Sequence, residues 1–347
     1  MKYVSIENLK EGDIIAKGIE PFIKDNTPLT QAKIDWLKKH GKTGVYIKST
    51  FEKDENDLNK VLSPIKESVP EQVQQDAVRA IYGRDIDAVI ASAIRIVESI
   101  CNDKNPTFDI WGMIDSDKDK HPIHVCEFAV AVAKKENYPP EKIVDVAVAA
   151  LLHDVGKKMN KDEKDRIIAE NQNLINAMNP KYEKNDENLH SIYGYAYLKN
   201  STHISATVKN AILYHHENEN GTGYFGKKGD EIKNLAALIH ICDDYENKLR
   251  IYANPIVARE HITVGVTTGL YKKDLTISFL KAVPVYPIGT MVKLSNGLVG
   301  SVYRQNDNME RPFIQLETGE IINLESVLDI TISPLYGYGE ETYERKL

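Results

Sequence analysis

From about residue 71 to residue 280, apolar residues recur at intervals of three and four, as at Val89, Ala93, Ile96 and Ile100. That period predicts amphipathic helices packed on one another. Pro139 and Pro140 suit the first turn of one helix, which runs on through Ile143, Val144, Ala147 and Leu151. Both flanks read differently. Near the start, Gly12-Asp13 and Asp25-Asn26 mark turns. Thr30 precedes a helical pattern with Ile34 and Leu37 on one face, Gly41 ends it, and Val45-Tyr46-Ile47 reads as a strand. After Pro284, glycines punctuate short β-branched runs, and Ser295-Asn296-Gly297 and Thr318-Gly319 suit hairpin turns. The expected fold is mainly α. It has a small α/β N-terminal module (1–62), a helical domain (63–283), a small β module (284–335) and a loosely ordered tail (336–347).

Composition narrows the function. The chain of 347 residues carries 44 basic and 51 acidic side chains, a net charge of −7. A general nucleic-acid binder carries a basic surplus instead, so a small anion held by local cations fits better than a polymer. The three cysteines, Cys101, Cys126 and Cys242, lie in apolar stretches without CxxC spacing and read as core residues in a reducing compartment. No apolar run approaches the roughly 20 residues that span a bilayer, and the N-terminus has no signal core. The expectation is a soluble, cytoplasmic protein.

Five polar interruptions of the helical pattern carry the chemistry. His121 heads the inward stripe of Val125, Phe128 and Val132. His153-Asp154-Val155-Gly156-Lys157 ends the apolar run 147–152. His190 lies one turn before Gly194, His215-His216-Glu217 follows Val208 and Ile212, and Asp243 lies one turn beyond Ile239. A lone inward histidine is usually a hydrogen-bonded core residue, and an isolated His-Asp pair carries little information. Five such sites on successive helices are another matter, because burying that much polarity without a cation leaves groups unpaired. Imidazole and carboxylate without thiolate suit iron, manganese, zinc or nickel better than magnesium or calcium. The ligands are too many for one tetrahedral zinc and call for two ions, with Asp154 able to bridge them. Ions about 3.5–4 Å apart activate a bridging hydroxide and neutralise phosphoryl oxygens.

The same residues resemble the HD superfamily of metal-dependent phosphohydrolases. Leu151 to Lys157 is similar to the LLHDIGK motif of its HD-GYP branch, and His215 to Phe225 to that branch's HHE…GxGYP signature. Asn188 to Gly194 and Ile241 to Tyr245 are similar to its histidine and aspartate helices. The likeness covers about residues 115–250, and both flanks are similar to modules found with the branch.

The resemblance implies an HD-type helical bundle that cleaves cyclic di-GMP to linear dinucleotide or GMP at a two- or three-metal centre, with iron first, then manganese, and zinc or nickel admissible. It implies His121, His153, Asp154, His190, His215, His216 and Asp243 as metal ligands, with Asp117 as a ligand to a third ion. Asp154 and Lys157 would be catalytic. Lys157, Arg250, Gly223 and Tyr224 would meet the substrate. The partner would be a cyclic dinucleotide, with no nucleic-acid polymer and no membrane, and a homodimer is admissible.

Two departures stand out. Phe225 replaces the proline of GYP, and residues 248–255 lack the branch's Arg-Pro-Tyr motif, leaving Lys248 and Arg250 as substitutes. The competing readings are an HD phosphohydrolase for another nucleotide, a non-catalytic sensor, and an oxygen-carrying di-iron bundle, in which Lys157 and the GxGY loop would have no use.

Overall fold

A computed structural model describes residues 2–16, 18–19, 22–47, 67–104, 106–316 and 318–332. The expected tail and most of the charged stretch after residue 52 lie outside these. The chain divides into two compact units.

The first unit comprises residues 1–66, 109–115 and 284–347. Strands β1 (Lys2–Ser5) and β2 (Gly44–Ile47) pair antiparallel. Helix α1 (Gln31–Lys39) begins where the Thr30 hydroxyl accepts a hydrogen bond from the Lys33 N–H. Its inner face, Ile34 and Leu37, is buried with Leu9, Ile15 and Leu29. The short helix α4 (Ile110–Asp115) belongs to this unit. The Trp111 indole N–H donates to the Thr290 hydroxyl at 3.0 Å, and Tyr46 OH donates to Asp109 at 2.8 Å. Strands β3 (Met291–Lys293), β4 (Val299–Arg304), β5 (Phe313–Leu316) and β6 (Ile321–Asn323) form an antiparallel meander. Both expected hairpins are present, one across Ser295-Asn296-Gly297 and one across Thr318-Gly319.

The second unit, residues 67–108 and 116–283, is helical. Its outer pair is α2 (Glu71–Gly83) and α3 (Ile86–Asn102). At its centre, α5 (His121–Lys135) is buried on every side from Pro122 to Ala133. Helix α5 packs on α6 (Pro140–Leu152), α11 (Asn234–Tyr252) and α13 (Lys273–Ala282). Two short helices, α7 (Lys161–Glu170) and α8 (Gln172–Ala177), lead to α9 (Asp186–Leu198) and α10 (Ala206–Tyr214). Helix α12 (Pro255–Thr267) follows α11, capped by the Asn254 side chain. Among the described residues, no helix is long and apolar enough to cross a membrane.

Candidate metal centre

Each polar interruption sits where its helix turns inward or ends. His121 is the first residue of α5, and His153 is the C-cap of α6. His215 is the C-cap of α10, and His190 and Asp243 lie within α9 and α11. After His153 the chain tightens into a 3₁₀ turn, Val155–Lys158, that lies against α9. Gly156 permits this approach. A Cβ there would sit 2.8 Å from the Gly194 nitrogen and closer still to the His190 carbonyl oxygen.

The helices bring seven side chains together as two triads around one carboxylate. In the first triad, His121 Nε2 lies 3.2 Å from His153 Nε2 and 3.1 Å from Asp243 Oδ1. In the second, His190 Nε2 lies 3.2 Å from His215 Nε2 and 3.0 Å from His216 Nε2. Asp154 stands between them. Its Oδ2 is 3.8 Å from His121 and 3.6 Å from His153, and its Oδ1 is 3.3 Å from His190.

The hydrogen bonds outside the triads fix what the inner nitrogens can do. The Nδ1 atoms of His153 and His215 donate to the carbonyls of Ala150 (2.6 Å) and Ile212 (2.8 Å), and His190 Nδ1 donates to the Glu187 carbonyl. Carbonyls only accept, so each of these rings keeps a proton on Nδ1, and in its neutral form Nε2 presents a lone pair. His190 and His215 therefore point lone pairs at each other across 3.2 Å. Burial drives the pKa values of His215, His216 and His190 below the ordinary histidine value, so adding protons is the costly way to relieve that repulsion. A cation relieves it directly. The residues thus fit metal ions, and the donor set of imidazole and carboxylate suits divalent transition metals.

Glu246 was not singled out by sequence reasoning. It is fully buried, and its two oxygens accept from His121 Nδ1 at 2.7 Å and His124 Nδ1 at 3.0 Å. Burial opposes its charge, but those hydrogen bonds and the Arg250 guanidinium hold its carboxyl well below the usual range.

Some expected site residues sit elsewhere. Asp117 is exposed and accepts the Asp119 N–H at 3.2 Å as the cap of a 3₁₀ turn; no contact ties it to either triad among the described residues. Gly223 does not take the left-handed conformation, unlike Gly221 with φ +80. It is a glycine for want of room, since a Cβ would meet Glu217 Cα at 2.5 Å and the His216 carbonyl at 2.6 Å. The Tyr224 ring packs 4.7 Å from that of His216, and its hydroxyl donates to Asn188. Gly223 and Tyr224 thus support His216 from behind and do not line the cavity described next. Arg250 lines that cavity but is also bonded to Glu246 and to Ser116.

The cavity, of about 270 Å³, opens on His121 and Asp154. Lys118, Lys157, Lys158 and Arg250 line it, with Asp119 and Asn247. Lys157 Nζ reaches Asp154 Oδ2 at 2.8 Å and keeps 37% of its side chain exposed.

The loop behind His216 is anchored by Glu217. Its buried carboxylate accepts the Phe225 N–H at 2.6 Å and the Lys227 N–H at 2.7 Å, and the Phe225 ring packs edge-on against Tyr214. The residue that departs from the GYP signature therefore supplies an amide proton that proline lacks. Phe225→Pro is expected to destabilise the fold by about 1–3 kcal/mol, the usual cost of an unpaired buried acceptor. Urea unfolding against Phe225→Ala, which keeps the amide, isolates this effect from loss of the ring.

Residues 119–248 match the HD domain family. A cyclic di-GMP phosphodiesterase of Pseudomonas aeruginosa is 29% identical over 232 residues, which are 65% of this chain and 54% of the relative. The chain thus spans about half the length of that curated relative. Among solved structures, an HDG"Y"P protein from Bdellovibrio bacteriovorus aligns with 78% of this chain and 94% of its own, at 17% identity and a TM-score of 0.46. The HD domain of the L. monocytogenes phosphodiesterase PgpH, in complex with cyclic-di-AMP, aligns with 50% of this chain and 94% of its own, at 17% identity and a TM-score of 0.31.

Proposed function

We propose, from the match of residues 119–248 to the HD domain family, that the chain is an HD-GYP-type metal-dependent phosphodiesterase that hydrolyses cyclic di-GMP to the linear dinucleotide, to GMP, or to both. The observation that carries this reading is Asp154, with one oxygen toward each of two histidine-containing triads. His121, His153 and Asp243 would hold one ion, His190, His215 and His216 the other, and Asp154 both. Such ions supply Lewis-acid stabilisation of phosphoryl oxygens and lower the pKa of water.

The chain's own residues do the rest. The outward Nδ1 hydrogen bonds lock the imidazole rings before substrate arrives, so little reorganisation is needed. Lys157, beside Asp154 and partly exposed to the cavity, offers an ammonium to a phosphate oxygen. Lys118 adds exposed positive charge at the same cavity. Together these groups draw in a dianionic diester and hold it against the triads.

Protein purified under low oxygen and loaded with iron or manganese is expected to convert cyclic di-GMP to the linear dinucleotide or GMP, followed by chromatography. Binding without turnover would favour the sensor reading instead. A different cyclic dinucleotide is the second reading, because Arg250 is held by Glu246 and Ser116 and Lys248 by Asp244, so neither replaces the missing Arg-Pro-Tyr motif freely. Lys157→Ala is expected to keep its metal and to lose about 10- to 100-fold in kcat/KM, the worth of one charge-assisted hydrogen bond. Loss of metal in that variant would make Lys157 a support for Asp154 and not a phosphate contact.

A further inference from the structure

The cavity holds one carboxylate that phosphate binding does not explain. Among its lining residues, Asp154 and Asp119 are the two acids, and Asp154 is turned to the triads. Asp119 sits among cations in a cavity suited to an anionic ligand, where it would repel a phosphate. It is also held in place. Lys158 Nζ lies 3.3 Å from Asp119 Oδ1, and Tyr82 OH donates to the same oxygen. Lys158 Nζ further contacts the Tyr82 hydroxyl at 2.5 Å and lies 3.9 Å from the ring centroid. Both contacts fall on Oδ1, so Oδ2 keeps its capacity to accept. The Tyr82 ring, on α2, is 45% exposed beside this group.

A fixed carboxylate in a nucleotide cavity has a natural counterpart. The Watson–Crick edge of guanine presents two adjacent donors, N1–H and the N2 amino group. Adenine presents an amino donor beside the N1 lone pair, which a carboxylate oxygen repels. Building on the proposed function, we infer that Asp119 reads a guanine base of the substrate, with Lys158 and Tyr82 as positioning residues that fix its orientation. This makes the chain specific for guanine-containing cyclic dinucleotides.

Binding separates this inference from turnover. Equilibrium dialysis of the metal-loaded wild type against cyclic di-GMP and cyclic di-AMP is expected to show a guanine preference of at least about tenfold, the discrimination expected of one well-placed polar pair. Asp119→Asn turns one acceptor into a donor, the complement of adenine's edge. Its preference is expected to fall to about unity or to invert, with metal content and thermal unfolding unchanged. Tyr82→Phe keeps the ring but frees Oδ1 of one contact and is expected to lose part of the preference. If Asp119 merely balanced Lys158, Asp119→Asn would weaken both ligands alike. An unchanged ratio in that variant, or a wild type with no preference, overturns the inference. Failure of the proposed activity would appear separately, as bound cyclic di-GMP that is not hydrolysed.

Discussion

Asp154→Asn is expected to lose at least one ion per chain and to lower phosphodiester hydrolysis by about a thousandfold or more, since ion-mediated charge stabilisation is worth several kcal/mol. The substitution keeps the shape and removes the charge. The present carboxylate faces His121 and His153 with one oxygen and His190 with the other. An amide offers one oxygen and one NH₂, so it can face a cation on one side only. The NH₂ would also point a donor at a neighbour that needs an acceptor. Asp154 further receives the Lys157 ammonium at 2.8 Å, which the substitution would release. Metal analysis with rate measurement on the same preparation checks this. Two retained ions with a normal rate would remove Asp154 from the bridge.

Glu246→Ala is expected to be the most destabilising single change near the centre. The carboxylate is buried and joins three partners, His121, His124 and Arg250. Its removal takes away the carboxylate paired with the partly buried Arg250 guanidinium, which keeps only its bonds to Ser116, and leaves two imidazole N–H groups without an acceptor. Breaking a buried ion pair on one side costs about 3–5 kcal/mol. The proton on His121 Nδ1 would also be free to move to Nε2, the nitrogen that faces His153 and Asp243. Loss of such an outer partner typically weakens metal affinity by about 10- to 100-fold. Urea unfolding of the metal-free protein measures the first effect, and metal titration the second. Glu246→Gln separates them, because the amide keeps one acceptor for His121 while losing the charge. Equal stability of Glu246→Ala and wild type would contradict the role assigned to this residue.

The ligands were legible because each breaks an apolar period. His121 leads Val125, Phe128 and Val132, all buried, and Asp243 interrupts the inner face of α11. Glu246 was not legible for a related reason. Glu246 and Arg250 stand four apart on one helix, the spacing of an ordinary solvated pair. Periodicity cannot say that this pair faces inward under His121. Asp117 has the sequence position of a ligand, yet the chain before α5 is a 3₁₀ turn and uses that side chain as a cap. Gly223 is expected from the resemblance to meet the substrate, but what requires a glycine there is space, since a Cβ would meet Glu217 Cα and the His216 carbonyl. The grouping of residues 109–115 with both chain ends rests on contacts such as Trp111 to Thr290, far apart in sequence, which no local pattern encodes.

The central claim is that this fold gathers two cation sites around one aspartate. Metal content of the full chain, measured by mass spectrometry after anaerobic loading and removal of loosely held ions, tests it most directly. At least two transition-metal ions per chain are predicted. One ion or none, in folded protein, would contradict it.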